Sequence, residues 1–183
     1  MLKQKIIEAY NYAKEKHGDK QRSFTKPPLP YFSHPKAVAR ILEHITHNET
    51  LIIAGLLHDT LEDTDATYDE IKEMFGEKIA KIVLEVSSDS NKVKELGKKH
   101  YLANKMLNMS DDALTVKLAD RYHNVLFMEH DDVPLKFIKK YWSETTYILF
   151  ELQNRQFNEI QTTLINGINV TLKFLQLRFY LGD

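Results

Sequence analysis

The chain contains no cysteine, which removes disulfides, thiolate metal ligands and a cysteine nucleophile from its available chemistry. It also lacks an excess of charge of either sign. Twenty-five Lys and Arg stand against 26 Asp and Glu, a formal net charge of -1, so the overall balance points to neither nucleic acid nor an anionic membrane surface as partner. No apolar run approaches the roughly 18 residues of a membrane span, and the opening MLKQKIIEAYNYAKEK has no uninterrupted apolar segment of the signal-peptide kind. The expected location is the cytoplasm. Proline is scarce as well, and three of the five fall in one stretch, GDKQRSFTKPPLPYFS, residues 18–33. That stretch has no apolar period and reads as a loop long enough to need a functional reason.

What remains is helical. At 183 residues the chain is long enough to bury a core as one domain, 1–183, without covalent staples. Apolar residues recur at spacings of three and four in the first segment (Leu2, Ile6, Tyr10, Ala13), in PKAVARILEHI, in LIIAGLL and in ALTVKLADRYHNVLFM, with no sustained alternation. The expected fold class is therefore all-α, a helical bundle. Pro35 can open a helix, Thr67 with Glu70 forms a capping box, and Gly76 ends one helix just before Glu77 begins the next. SSDSNKVKELGKKH, from Ser87, is polar enough to hold a second loop.

Eight histidines are a generous supply, and their placement matters. In LLHDTLEDTD, residues 56–65, one histidine and four carboxylates follow the apolar run LIIAGLL. That run has almost no polar face, so its helix belongs inside the bundle and delivers His58 and Asp59 to the interior or to a cleft. A buried Asp costs several kcal/mol unless it is compensated, and a divalent cation is a common compensation; the alternative is an acidic helix end in solvent. His34 lies in YFSHP just before Pro35, where it serves either as a ligand or as a cap or core residue. Asp120 sits amid the apolar residues of TVKLADRYHN and shares a face with Asn124 four residues on. It either projects inward or pairs with Lys117 or Arg121 on a solvated side. Taken jointly, His34, His58, Asp59 and Asp120 make a two-nitrogen, two-oxygen donor set suited to Mn, Fe, Co or Zn, with octahedral positions left for water and a phosphate oxygen. Glu62 and Asp63 follow the first pair by four residues, where a carboxylate could take a proton from water.

These motifs resemble a known family. The H…HD…D pattern is that of the HD-domain phosphohydrolases. RSF followed by YFSHP, LLHDTLEDTDAT, FGEKIAKIVLEV and KLADRYHN is similar, in order and spacing, to the hydrolase domain of RelA/SpoT proteins over roughly residues 5–130. The chain length matches the stand-alone small alarmone hydrolases, metazoan SpoT homologues among them. The resemblance implies a Mn2+-dependent bundle of the HD-domain type that removes the 3′-pyrophosphate of (p)ppGpp. By matching position, His34, His58, Asp59 and Asp120 become the metal ligands, and Glu62 and Asp63 activate or orient water. Arg22, Lys94 and Asn124 become contacts to a small-molecule nucleotide. The chain departs from the family where Ser23 follows Arg22, where TKPPLP lengthens the loop, and in FIKKYWSE, which offers Tyr141 with Phe137, Lys136, Lys139 and Lys140 nearby. Two further readings stay open: a metal-dependent phosphatase of another nucleotide such as NADPH, and a non-catalytic nucleotide-binding or antitoxin-like protein.

Overall fold

The computed structural model describes residues 2–130 and 132–182. Eleven α-helices and one 3-10 turn occur among them: α1 (Leu2–His17), α2 (Ser33–Thr46), α3 (Glu49–Leu57), α4 (Thr60–Asp63), α5 (Tyr68–Phe75), α6 (Glu77–Val86), α7 (Ser90–Leu96), α8 (Lys98–Leu107), α9 (Asp111–Phe127), α10 (Leu135–Glu151) and α11 (Glu159–Phe179). No strand is formed by the described residues beyond an isolated antiparallel bridge between Gln21 and Pro30, and none of the helices is long and apolar enough to cross a membrane. The all-α expectation holds.

The architecture is built around α3. Its residues 51–57 are all buried, as a helix without a polar face requires, and it packs against α1, α2, α6 and α9. Asn48 starts it, its side chain accepting from the Thr50 N–H at 3.0 Å. Gly55 permits the close crossing with α2: a Cβ there would stand 2.6 Å from Leu42 Cδ1 and 3.3 Å from Ala39 Cα. Helix α9 is the second axis, packed on α2, α6 and α11 and capped by Ser110. Buried Arg121 ties it to α10 through Glu144 Oε1 at 3.0 Å and the face of Tyr141.

Two boundaries differ from the sequence expectation. Helix α2 begins at Ser33, two residues before Pro35, which then sits in the first turn where its missing N–H costs nothing. His34 is therefore on the helix rather than ahead of it. The polar stretch from Ser87 is loop only as far as Asp89, whose carboxylate accepts from the N–H groups of Asn91 and Lys92 and so starts α7. Gly97, at φ 78°, separates α7 from α8 in the way Gly76, at φ 93°, separates α5 from α6.

The loop between α1 and α2 folds back on itself. Arg22 N donates to Leu29 O at 2.8 Å, Tyr31 N to Lys20 O at 2.7 Å, and Thr25 Oγ1 accepts from Leu29 N. The result is a ribbon that carries Arg22, Phe24 and Tyr31 over the end of α3.

Candidate active site

His58 follows the last residue of α3 and is 1 % exposed. Its Nδ1 lies 2.8 Å from Gly55 O. A carbonyl only accepts, so Nδ1 carries the proton and Nε2 presents a lone pair. That Nε2 is buried and makes no hydrogen bond among the described residues, although Asp59 Oδ1 is 3.1 Å away and Asp120 Oδ1 3.8 Å. Burial alone would hold the imidazole neutral; the Asp59 and Asp120 carboxylates outweigh it and push the pKa up to about 9. A lone pair facing two carboxylates in the interior calls for a cation between them, a proton or a metal ion.

His34 enters from α2. Its Nε2 is 3.1 Å from Asp120 Oδ1 and 3.6 Å from Asp59 Oδ2, and burial lowers its pKa even beside those carboxylates. Asp120 comes from α9, buried with Lys117, whose Nζ is 3.0 Å from its Oδ2. The pairing with Lys117 is real, but it lies in the interior rather than on a solvated side. Burial works to raise the Asp120 pKa; Lys117 and the two histidines outweigh it and hold the carboxylate well below its ordinary range. Asp59 is likewise held low, by His58 and His34 against its own burial. Ligand atoms of His34, His58 and Asp120 lie within 4.8 Å of one another, and the Asp59 carboxylate faces both imidazoles. These donors fit a divalent transition ion.

Each donor has its own supporting partner. The Tyr31 hydroxyl donates to Asp59 Oδ2 at 2.8 Å. Asn124 Nδ2 donates to Asp120 Oδ1 at 2.6 Å, and Asn124 Oδ1 in turn accepts from Arg22 Nη2 at 3.0 Å. His34 Nδ1 stands 2.7 Å from His123 Nδ1. Burial first, then His34 and Arg22, push the His123 pKa down to about 3, so the ring stays neutral.

The donor set opens into a cleft of about 290 Å³. Glu62 and Asp63, on α4, line it one turn beyond Asp59. Glu62 Oε2 accepts from Ser88 N at 2.8 Å, and Asp63 Oδ1 is 3.2 Å from Lys20 Nζ. Arg22, Asn124 and Tyr141 also line it, with the Arg22 guanidinium 4.0 Å from the Phe127 ring centroid. Lys94 does not. It is exposed on α7, and Lys98, at the start of α8, lines the cleft instead. Lys136, Lys139 and Lys140 are exposed and outside the lining, whereas Phe137 is in it, its ring 5.0 Å from that of Phe24. Sequence reasoning passed over Tyr31, His123 and Lys98, and weighed Arg121 only as a partner of Asp120, whereas it pairs with Glu144. For Tyr31 and His123 a signal existed, since they stand three residues before His34 and three after Asp120.

The helical fold and this donor set define an HD domain, and the chain matches the HD-domain family over residues 9–156 and belongs to it. Its relatives narrow the comparison. The guanosine-3′,5′-bis(diphosphate) 3′-pyrophosphohydrolase of Aquifex aeolicus is 44% identical over 124 residues, 67% of this chain and 17% of that protein. The protein named guanosine-3′,5′-bis(diphosphate) 3′-pyrophosphohydrolase MESH1 in Xenopus tropicalis is 42% identical over 123 residues, 66% of this chain and 67% of that protein. The chain thus spans less than a fifth of the Aquifex protein and two thirds of the Xenopus one. A solved metazoan SpoT orthologue, described as hydrolysing ppGpp, superposes with a TM-score of 0.75 at 26% identity, covering 95% of this chain and 94% of its own.

Proposed function

We propose that the protein hydrolyses the 3′-pyrophosphate of guanosine tetra- and pentaphosphate, giving GDP or GTP and pyrophosphate. The observation that carries the reading is the meeting of His34, Asp59 and Asp120 at the floor of a cleft, with His58 buried against Asp59 beneath it, while the walls add two further carboxylates and the cationic Arg22 and Lys98. It is further supported by the activity named for the relatives of similar sequence.

In this reading His34, His58, Asp59 and Asp120 would hold Mn2+, which when bound neutralises phosphoryl charge and lowers the pKa of water. Glu62, anchored by the Ser88 N–H, accepts the proton of the attacking water, and Asp63 orients that water beside it. The ester bond between phosphorus and the 3′ oxygen breaks, the 3′ oxygen takes up the equivalent of the proton removed from water and leaves as the ribose 3′ alcohol, and pyrophosphate carries the new oxygen. Arg22, Asn124 and Tyr141 contact the nucleotide. Lys98 takes the phosphate-facing role expected of Lys94, because it lines the cleft and is not already paired with Asp120 as Lys117 is. Such charge-assisted contacts suit a substrate with several phosphates.

The test is a product assay with Mn2+ across ppGpp, NADPH and other nucleotides, scoring pyrophosphate against orthophosphate. The expected result is GDP and pyrophosphate from ppGpp, with Glu62→Gln slowed about 100- to 10,000-fold as for loss of a general base. Orthophosphate from NADPH with ppGpp left intact would transfer the site to the other nucleotide, and ppGpp binding without product would make the protein a sensor.

A further inference from the structure

We propose that His123 is a positioning residue for the metal, its Nδ1 serving as the acceptor that aims His34 Nε2 into the donor set. The inference rests on the metal-holding reading of His34, His58, Asp59 and Asp120, and adds to it a residue with no ligand role of its own.

The geometry assigns the two ring nitrogens of His34 different tasks. Nε2 faces the carboxylates of Asp120 and Asp59, while Nδ1 points away to His123 Nδ1 at 2.7 Å, the rings tilted by 31° with centroids 4.9 Å apart. A contact that short between two imidazole nitrogens is a hydrogen bond with one proton between them. With Nε2 as the ligand atom, Nδ1 of His34 must carry that proton. His123 then accepts with Nδ1 and keeps its own proton on Nε2.

Comparison with His58 shows what is special here. The ring of His58 is fixed by a backbone carbonyl, Gly55 O at 2.8 Å, which no side-chain substitution removes. His34 has only a side chain for the same purpose, and that side chain comes from the helix that supplies Asp120. Positions 120, 123 and 124 lie on one face of α9, so a single helix face contributes one donor, the partner of a second donor on α2, and Asn124, which braces the first. Outer partners of this kind fix the orientation and tautomer of a ligating imidazole.

The experiment compares His123→Asn, which keeps an acceptor close to the Nδ1 position, with His123→Leu, which keeps bulk without one. Mn2+ affinity is read from the electron paramagnetic resonance signal of free Mn2+. His123→Leu is expected to bind Mn2+ about 10- to 100-fold more weakly, His123→Asn to stay near wild type, and both to unfold as wild type does when metal is stripped. Affinity unchanged in His123→Leu while wild type binds overturns the positioning role alone. A second measurement needs no variant: 15N–15N coupling between the two Nδ1 atoms in metal-stripped wild type, whose absence overturns the proposal. Wild type that shows the coupling but binds no Mn2+ overturns the metal reading and the positioning role together.

Discussion

Lys117 is 8 % exposed, and burial should have removed its charge; Asp120 and Asp59 outweigh that effect and raise its pKa instead. The ammonium balances the Oδ2 side of Asp120 while His34 and Asn124 occupy the Oδ1 side. Removing it leaves a buried carboxylate short of a partner. Lys117→Met is therefore expected to cost the metal-stripped protein about 3–5 kcal/mol, the range for breaking a buried ion pair from one side. Urea unfolding in EDTA and in Mn2+ checks this, and the loss should shrink with Mn2+ because a bound cation supplies the missing charge. An equal loss in both conditions would make Lys117 a packing residue. The same neighbourhood shows what could be read from sequence. His34, His58, Asp59 and Asp120 were legible because each stands in a short motif with helical spacing or an apolar context. Their partners were not, because Tyr31 meets Asp59 across 28 residues and His123 meets His34 across 89. Lys117 was visible as a neighbour of Asp120 at i+3 spacing, but not its burial, since one helix does not reveal how many others cover it.

Helices α2 and α3 each deliver a histidine, and Gly55 sets how closely they cross. An added methyl would meet Leu42 Cδ1 at 2.6 Å and the Ala39 backbone at 3.3 Å, so the buried Leu42 side chain must turn and the helices part by a few tenths of an ångström. Gly55→Ala is expected to lose about 1–3 kcal/mol by overpacking, more than offsetting the usual gain of alanine over glycine in a helix. It should also weaken Mn2+ binding, because His34 and His58 move with their helices. Denaturant unfolding and metal titration read the two effects separately, and a stabilised variant with unchanged metal affinity would show that α2 yields easily. Elements with strong local signals were legible in this way. The run LIIAGLL announced a buried helix, and Thr67 with Glu70 announced α5, whose capping box has both reciprocal bonds. Helix α7 was not legible, because it buries no residue and so leaves no apolar period to detect. Asp89 starts it through local hydrogen bonds, a signal that looks the same in a turn.

At the scale of the whole molecule, the donor set lies where α2, α3 and α9 meet, so its charge state is coupled to global stability. In the metal-stripped protein the two carboxylates lift the His58 pKa from 6.5 to about 9 against its own burial. A group whose pKa is raised on folding contributes stability that is complete below its unfolded value and is lost as pH rises through the folded one. The stripped protein is therefore expected to weaken between about pH 6.5 and 9, the window those two values set. Asp59 and Asp120 act in the opposite sense. Their pKa values are lowered on folding, so their contribution is intact above the ordinary carboxylate range and disappears only in acid. A bound cation takes the place of the His58 proton, so the loaded protein has no such proton to lose, and metal uptake releases protons below pH 9. Thermal unfolding of EDTA-treated and Mn2+-loaded protein across this window should show a gap in midpoint that widens with pH. At about 2–4 °C per kcal/mol for a chain of this size, the widening is easily measured. Parallel curves would mean that the His58 proton and the metal do not compete for the same buried lone pair.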